Sequence, residues 1–132
     1  YGYQAVVVDF GTEVTFDIVS RKKDYLGGLI LPGLNISMDV LYLRTALLPR
    51  VKLAKPKGLI GKDTRSSILS GMVYGFAALT DDIIGRMREK IGGNAKAIGT
   101  GGDISLIKPY CRKIQAVDKD LTLKGLDLIA QL

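Results

Sequence analysis

The sequence predicts an α/β fold, a mixed sheet covered by helices, on three observations. Three strand-like patterns follow one another over residues 5–31 and read as a meander. Helical spacing and short apolar runs then alternate to the end of the chain. The composition, 47% hydrophobic and 24% charged over 132 residues, suits one modest domain with a real core.

The first strand is Ala5-Val6-Val7-Val8, a buried run that breaks into Asp9-Phe10-Gly11-Thr12. A second strand leaves this turn with Val14, Phe16 and Ile18 alternating. Arg21-Lys22-Lys23-Asp24 is a polar turn, and Tyr25 to Leu31 is a third strand interrupted by Gly27-Gly28, which mark a bulge or a close backbone approach. Pro32-Gly33 stops it. From about Asn35 to Leu47 the positions Ile36, Val40, Leu43 and Leu47 recur at helical spacing, and Pro49 ends that helix. Lys52 to Lys62 is a basic loop, its lysines read as solubilising rather than phosphate-binding. The longest helical pattern opens at Gly61-Lys62-Asp63-Thr64 and carries Ile68, Met72, Phe76, Leu79, Ile83 and Met87, with Asp63 or Thr64 as cap. Gly71 and Gly75 offer a notch for close packing. Gly92-Gly93-Asn94 closes the helix, Lys96 to Thr100 is a short strand, and Gly101-Gly102-Asp103 turns into a short helix ending near Pro109. Ile114 to Val117 is a last strand, and Leu121 to Ala130 an amphipathic helix.

Charge and composition exclude several functions. The net charge is +6, but the basic residues are dispersed, without aromatic interleaving, so a solvated basic surface is expected and no nucleic-acid partner. No stretch approaches the roughly 20 apolar residues of a membrane span and no signal peptide opens the chain, so a cytoplasmic protein without a membrane partner is expected. The one cysteine, Cys111, has no histidine anywhere to activate it or share a metal, which excludes thiol-protease chemistry and a Cys/His zinc site within the chain. The first residue is Tyr1, and Tyr1-Gly2-Tyr3-Gln4 leads straight into a strand; the chain reads as the back part of something longer.

Three places carry chemistry. A carboxylate at the end of a buried strand is costly unless it meets a cation, Gly11 lets backbone N–H groups close on an anion, and Thr12 adds a hydroxyl. Phosphate plus metal suits Asp9, Gly11 and Thr12; a hairpin whose Asp and Thr only satisfy turn hydrogen bonds is the alternative. The second place is the start of the long helix, where free N–H groups and Thr64 suit an anionic group. At Thr100-Gly101-Gly102 backbone can lie flat against a ligand.

The order VVVDFGT, YLGGLILPGL, LPRV, IGKDTRSSILSGMVYGFAAL, AIGTGGD, LTLKGLDLI resembles the second half of the type III pantothenate kinases over nearly the whole chain. DxGT and TGG are generic to the superfamily of acetate and sugar kinases, actin and heat-shock ATPases. The YLGG and GKDT segments are specific to this kinase group. The resemblance implies one ribonuclease-H-like (actin-like ATPase) domain, the C-terminal half of a two-domain kinase whose N-terminal half is absent. It implies ATP-dependent phosphorylation of pantothenate, the first step of coenzyme A biosynthesis, with ATP, Mg2+ and K+ or NH4+ as cofactors and a homodimer as the assembly. Asp9 then matches a ligand of the monovalent cation, Thr12 with Gly11 an ATP-binding turn, and Thr64 a pantothenate-binding threonine. Thr100, Gly101 and Gly102 match the adenosine-side turn. No catalytic residue falls in this chain: the first phosphate loop and the Gly-x-Asp-Arg segment with the base belong to the other half. Glu13 departs from the family's DFGTATTFD. Pointing away along the strand, it would be harmless; pointing in, it would repel ATP or recruit magnesium. A non-catalytic regulatory or accessory-factor relative is the alternative function.

Overall fold

A computed structural model describes residues 3–132; Tyr1 and Gly2, with the reading of the chain start that involves them, lie outside the described residues. The elements are β1 Ala5–Phe10, β2 Glu13–Val19, β3 Tyr25–Pro32, α1 Leu34–Arg44, α2 Thr64–Ile91, β4 Lys96–Thr100, α3 Ile104–Ile107, β5 Ala116–Val117 and α4 Leu121–Ala130. A 3-10 turn, Lys108–Tyr110, follows α3. They build one five-stranded sheet in the order β3-β2-β1-β4-β5. β2 runs antiparallel to β1 and β3, whereas β4 is parallel to β1 and β5 parallel to β4.

Period-2 alternation divides the sheet's residues between its faces. Val6, Val8, Phe10, Val14, Phe16 and Ile18 bury against Val73, Phe76, Ala77, Ile84 and Met87 of α2 and Ile104 and Ile107 of α3. The opposite face presents Val7 and Asp9 of β1, with Asp17 and Thr15 of β2 and Ile98 and Thr100 of β4 as their lateral neighbours. The paired glycines of β3 have the two roles the sequence allowed. Gly27 takes φ +116° beside the register shift at Ile18/Val19, and a Cβ on Gly28 would overlap the Phe16 carbonyl.

Both long helices correct the expected apolar stripes. In α1 the buried residues are Leu34 and Met38, while Ile36, Val40, Leu43 and Leu47 are exposed. The segment is apolar on several faces, so spacing alone selects no face. What selects it is Gly33, packed against the β1–β2 turn, which aims Leu34 into the core. The helix also ends at Arg44, short of Leu47, because Thr45 is already extended. In α2 the buried line is Leu69, Val73, Phe76, Ala77, Thr80, Ile84 and Met87, one residue round from the expected one over much of its length. Met72, Leu79 and Ile83 flank it.

By length and composition α2 would qualify as a membrane span, contrary to the expectation that no stretch does. Its apolarity is spent on the core, against the sheet and α3. Thr80 is fully buried there and its Oγ1 has no hydrogen-bond partner among the described residues. An unmade buried hydrogen bond costs about 1 to 3 kcal/mol, so Thr80→Val is expected to raise stability by about 1 kcal/mol, read from the urea midpoint. A lower midpoint would mean that the hydroxyl has a partner in solution.

At 28 residues α2 is about 42 Å long, against about 17 Å for the five residues of β4, so it overhangs the sheet. Its early turns rest on a second, smaller cluster of Met38, Val51 and Leu69. Leu53 and Met72 bridge this cluster to the main core. Cys111 is buried, and desolvation pushes its thiol up to about 12, which leaves it inert at neutral pH.

Candidate functional site

β1 and β4 are parallel neighbours, so their carboxyl ends meet at one edge of the sheet, with Asp9 paired in register to Thr100. Binding residues collect at such edges because loops diverge there. Gly11 N–H donates to the Glu13 carbonyl at 3.1 Å and closes the turn, leaving Thr12 exposed at its tip. A Cβ on Gly101, which has φ +99°, would lie 2.5 Å from Asp9 Oδ1; one on Gly11 would lie 3.3 Å from the same atom. Two glycines therefore form the cradle of one carboxylate.

That carboxylate is partly buried and accepts no hydrogen bond or ion pair among the described residues. Its pKa is raised from 3.8, first by desolvation and then by the charges of Asp17 and Glu13. Glu13 is thereby placed: it precedes Thr15, the cross-strand partner of Asp9, by two residues and shares its face. Asp17 accepts the Tyr25 hydroxyl at 2.9 Å. The tip is thus an electronegative cradle that gains from a cation.

Thr100 is buried, and Gly102 faces open space. Asp103 sits where a cap of α3 would, yet its side chain makes no cap bond; its N–H donates to the Phe10 carbonyl at 3.0 Å, binding the turn after β4 to the end of β1. Asp9, Gly11, Thr12, Thr100, Gly101 and Gly102 are therefore assembled at one sheet edge. Thr64 belongs to another place.

At the start of α2 the cap is Asp63. Its carboxylate accepts Ser66 N–H at 2.7 Å, and Ser66 Oγ accepts Asp63 N–H at 3.2 Å, a reciprocal capping box. Thr64 is the first helical residue and is exposed. It borders a cleft of about 530 Å³ between α1 and α2, whose walls include Leu41, Leu48, Ile68 and Met72 and whose polar rim includes Lys62 and Ser67. None of the residues around it comes from the β1–β2 turn.

Sequence reasoning missed two glycines that shape these places. A Cβ on Gly33 would overlap the Thr12 carbonyl and lie 2.9 Å from the Gly11 carbonyl oxygen, so the Pro32-Gly33 pair does more than stop β3: it seats the turn. Gly61 packs in the same way on Ser66 and Ser67 in the first turn of α2. Neither has an unusual φ, and neither announces itself in a single sequence.

Residues 1–86 match the family model described as type III pantothenate kinase. Relatives described by that name are 50% identical over 129 residues in Syntrophus aciditrophicus and 48% identical over 129 residues in Moorella thermoacetica. Each alignment covers 98% of this chain and 51% of the relative, so the chain spans about half the length of the curated relatives it matches. Among solved structures, one from Campylobacter jejuni, described provisionally as a Baf family transcriptional activator, superposes with a TM-score of 0.68 at 26% identity. It covers 97% of this chain and 57% of that one.

Proposed function

Because this chain belongs to the type III pantothenate kinase family, we propose that it is the C-terminal half of an enzyme that transfers phosphate from ATP to pantothenate, the first step of coenzyme A biosynthesis in the cytoplasm. The observation that carries this reading is the unpartnered Asp9 carboxylate between Gly11 and Gly101, beside the Thr12 turn. It suits a potassium or ammonium ion next to nucleotide phosphates, with Glu13 at hand for magnesium. Phosphoryl transfer is chiefly positioning and charge neutralisation. In this chain Asp9 would hold the cation, the Gly11 and Thr12 turn would face the phosphates, and Thr100 to Gly102 would give the adenosine flat backbone. The other half supplies the base, and two copies assemble as a homodimer. The strand order, three antiparallel strands continued by two parallel ones, supports a ribonuclease-H-like domain of the actin-like ATPase kind.

The acceptor belongs at Thr64. Its cleft joins apolar walls, suited to a branched aliphatic body, to hydroxyl and ammonium groups on the rim. Thr64→Val keeps the volume and removes one hydrogen bond worth about 1 to 3 kcal/mol, so in the complete protein pantothenate should bind roughly 5 to 150 times more weakly while ATP affinity holds. Because Asp63, not Thr64, caps α2, the variant's melting temperature should stay near the parent's. Calorimetric titration of both ligands reads the outcome; unchanged pantothenate binding would remove the acceptor half of the proposal.

The position of Glu13 favours a second reading, a non-catalytic relative that keeps the fold, since a carboxylate on the Asp9 face opposes bound phosphate unless magnesium intervenes. Failure of the complete protein to bind ATP in magnesium, with Glu13→Ala restoring it, would decide for that reading.

A further inference from the structure

We propose that the segment between α1 and α2 holds a second anion site, separate from the phosphate turn and on another side of the α2 start from the Thr64 cleft. A groove of about 530 Å³ is bordered there by Lys55, Lys57, Lys62 and Arg65, with Gly58 and Gly61 along its wall. Four basic residues border one concavity. No salt bridge or hydrogen bond engages any of these four side chains among the described residues. The one acid on the wall is Asp63, and it is committed: its carboxylate caps α2 through Ser66 N–H, which chiefly holds its pKa below 3.8, with Lys57 and Arg65 adding to the effect.

The backbone is fixed where the cations stand. Pro56 is buried between exposed Lys55 and Lys57, which anchors the segment at its middle and leaves both lysines to solvent. Ser70 Oγ donates to the Leu59 carbonyl, and Gly61 lies on the first turn of α2. Like charges bordering a shared groove favour an anion there, and a multivalent oxyanion gains most. The ligand class is a phosphate-type anion, either inorganic or the phosphate group of a small organic molecule. Lys62 also borders the Thr64 cleft, so an occupant here adjoins whatever that cleft holds.

The test is amide-resolved NMR titration of the complete protein with pyrophosphate, and in a second arm with glycerol 3-phosphate, at constant ionic strength. Shifts are expected at Gly58, Gly61 and Lys62 as well as at Gly11 and Thr12. Lys55→Gln with Lys57→Gln should weaken the first set about tenfold and leave the second unchanged. Lys55→Arg with Lys57→Arg should restore it, which separates lost charge from lost folding. Lys22→Gln with Lys119→Gln, remote in sequence from the groove, should change neither set. The stronger of the two arms identifies the source of the phosphate. Shifts confined to Gly11 and Thr12, or shifts at Gly58 to Lys62 that survive both glutamines, would overturn the site. So would shifts there produced by a short RNA and by neither phosphate. None of these outcomes depends on kinase activity, so the site stands or falls apart from the proposed function.

Discussion

Asp9→Asn in the complete protein is expected to lower pantothenate-dependent turnover by about two orders of magnitude and to abolish the difference between potassium and sodium. The substitution keeps the shape of the side chain and removes the one charge that the Gly11 and Gly101 cradle encloses. A readout independent of activity follows from the same geometry. In the parent, potassium should raise the melting temperature relative to a choline buffer; in Asp9→Asn it should not. The direction without cation is opposite. The folded-state pKa of Asp9 lies above 3.8, so stability linked to it is fully present below that value and lost as pH rises through the raised pKa. At neutral pH the ionised group is a cost, and Asp9→Asn in choline should melt no lower than the parent. A variant that keeps its potassium response in both assays would place the cation elsewhere.

Gly33→Ala should be strongly destabilising. The backbone there, φ −70° and ψ 172°, is open to any residue, so conformational strain is not the cause. The added Cβ meets the Thr12 and Gly11 carbonyls, backbone atoms that can move only by displacing the turn or tilting α1. A loss of about 3 kcal/mol or more is expected from the denaturant midpoint, together with weakened ATP binding if the proposed phosphate turn, which carries the same carbonyls, is displaced. Gly58→Ala is the matched control: a Cβ at Gly58 meets nothing within 4 Å, and its midpoint should stay within about 0.5 kcal/mol of the parent. Equal midpoints for the two variants would show that the turn yields without cost.

What the sequence revealed of this molecule divides along physical lines. Strands were legible because Val14, Phe16 and Ile18 alternate against a polar partner set and because Gly27 and Gly28 interrupt β3 visibly. Helix starts were legible because Asp63 leaves a capping signature. Helix faces were not. In α1, Ile36 and Met38 are equally apolar, and only the docking of Gly33 onto a turn more than twenty residues earlier decides which is buried. In α2 the small residues Ala77 and Thr80 belong to the buried line, and a search for large apolar residues steps past them. The same limit applies to the site. Asp9 stood out because a carboxylate ending an apolar run is chemically conspicuous, whereas the facing of Glu13 required the β1–β2 register, in which Thr15 opposes Asp9.

The overhang of α2 gives its two ends unequal footing. The β1–β2 turn is riveted to the sheet, with Gly33 beneath it and Asp103 N–H bonded to the Phe10 carbonyl. Among the described residues, the Thr64 end of α2 rests on a small cluster of buried side chains, Met38, Val51 and Leu69, with Leu53, Ile68 and Met72 partly buried against it. Regions with so few buried apolar contacts open as separate cooperative units at a fraction of the global unfolding free energy. Under the proposed function, the more lightly packed acceptor cleft would open to admit and release substrate more readily than the nucleotide edge. One continuous helix joins the lightly packed end to the firmly packed one.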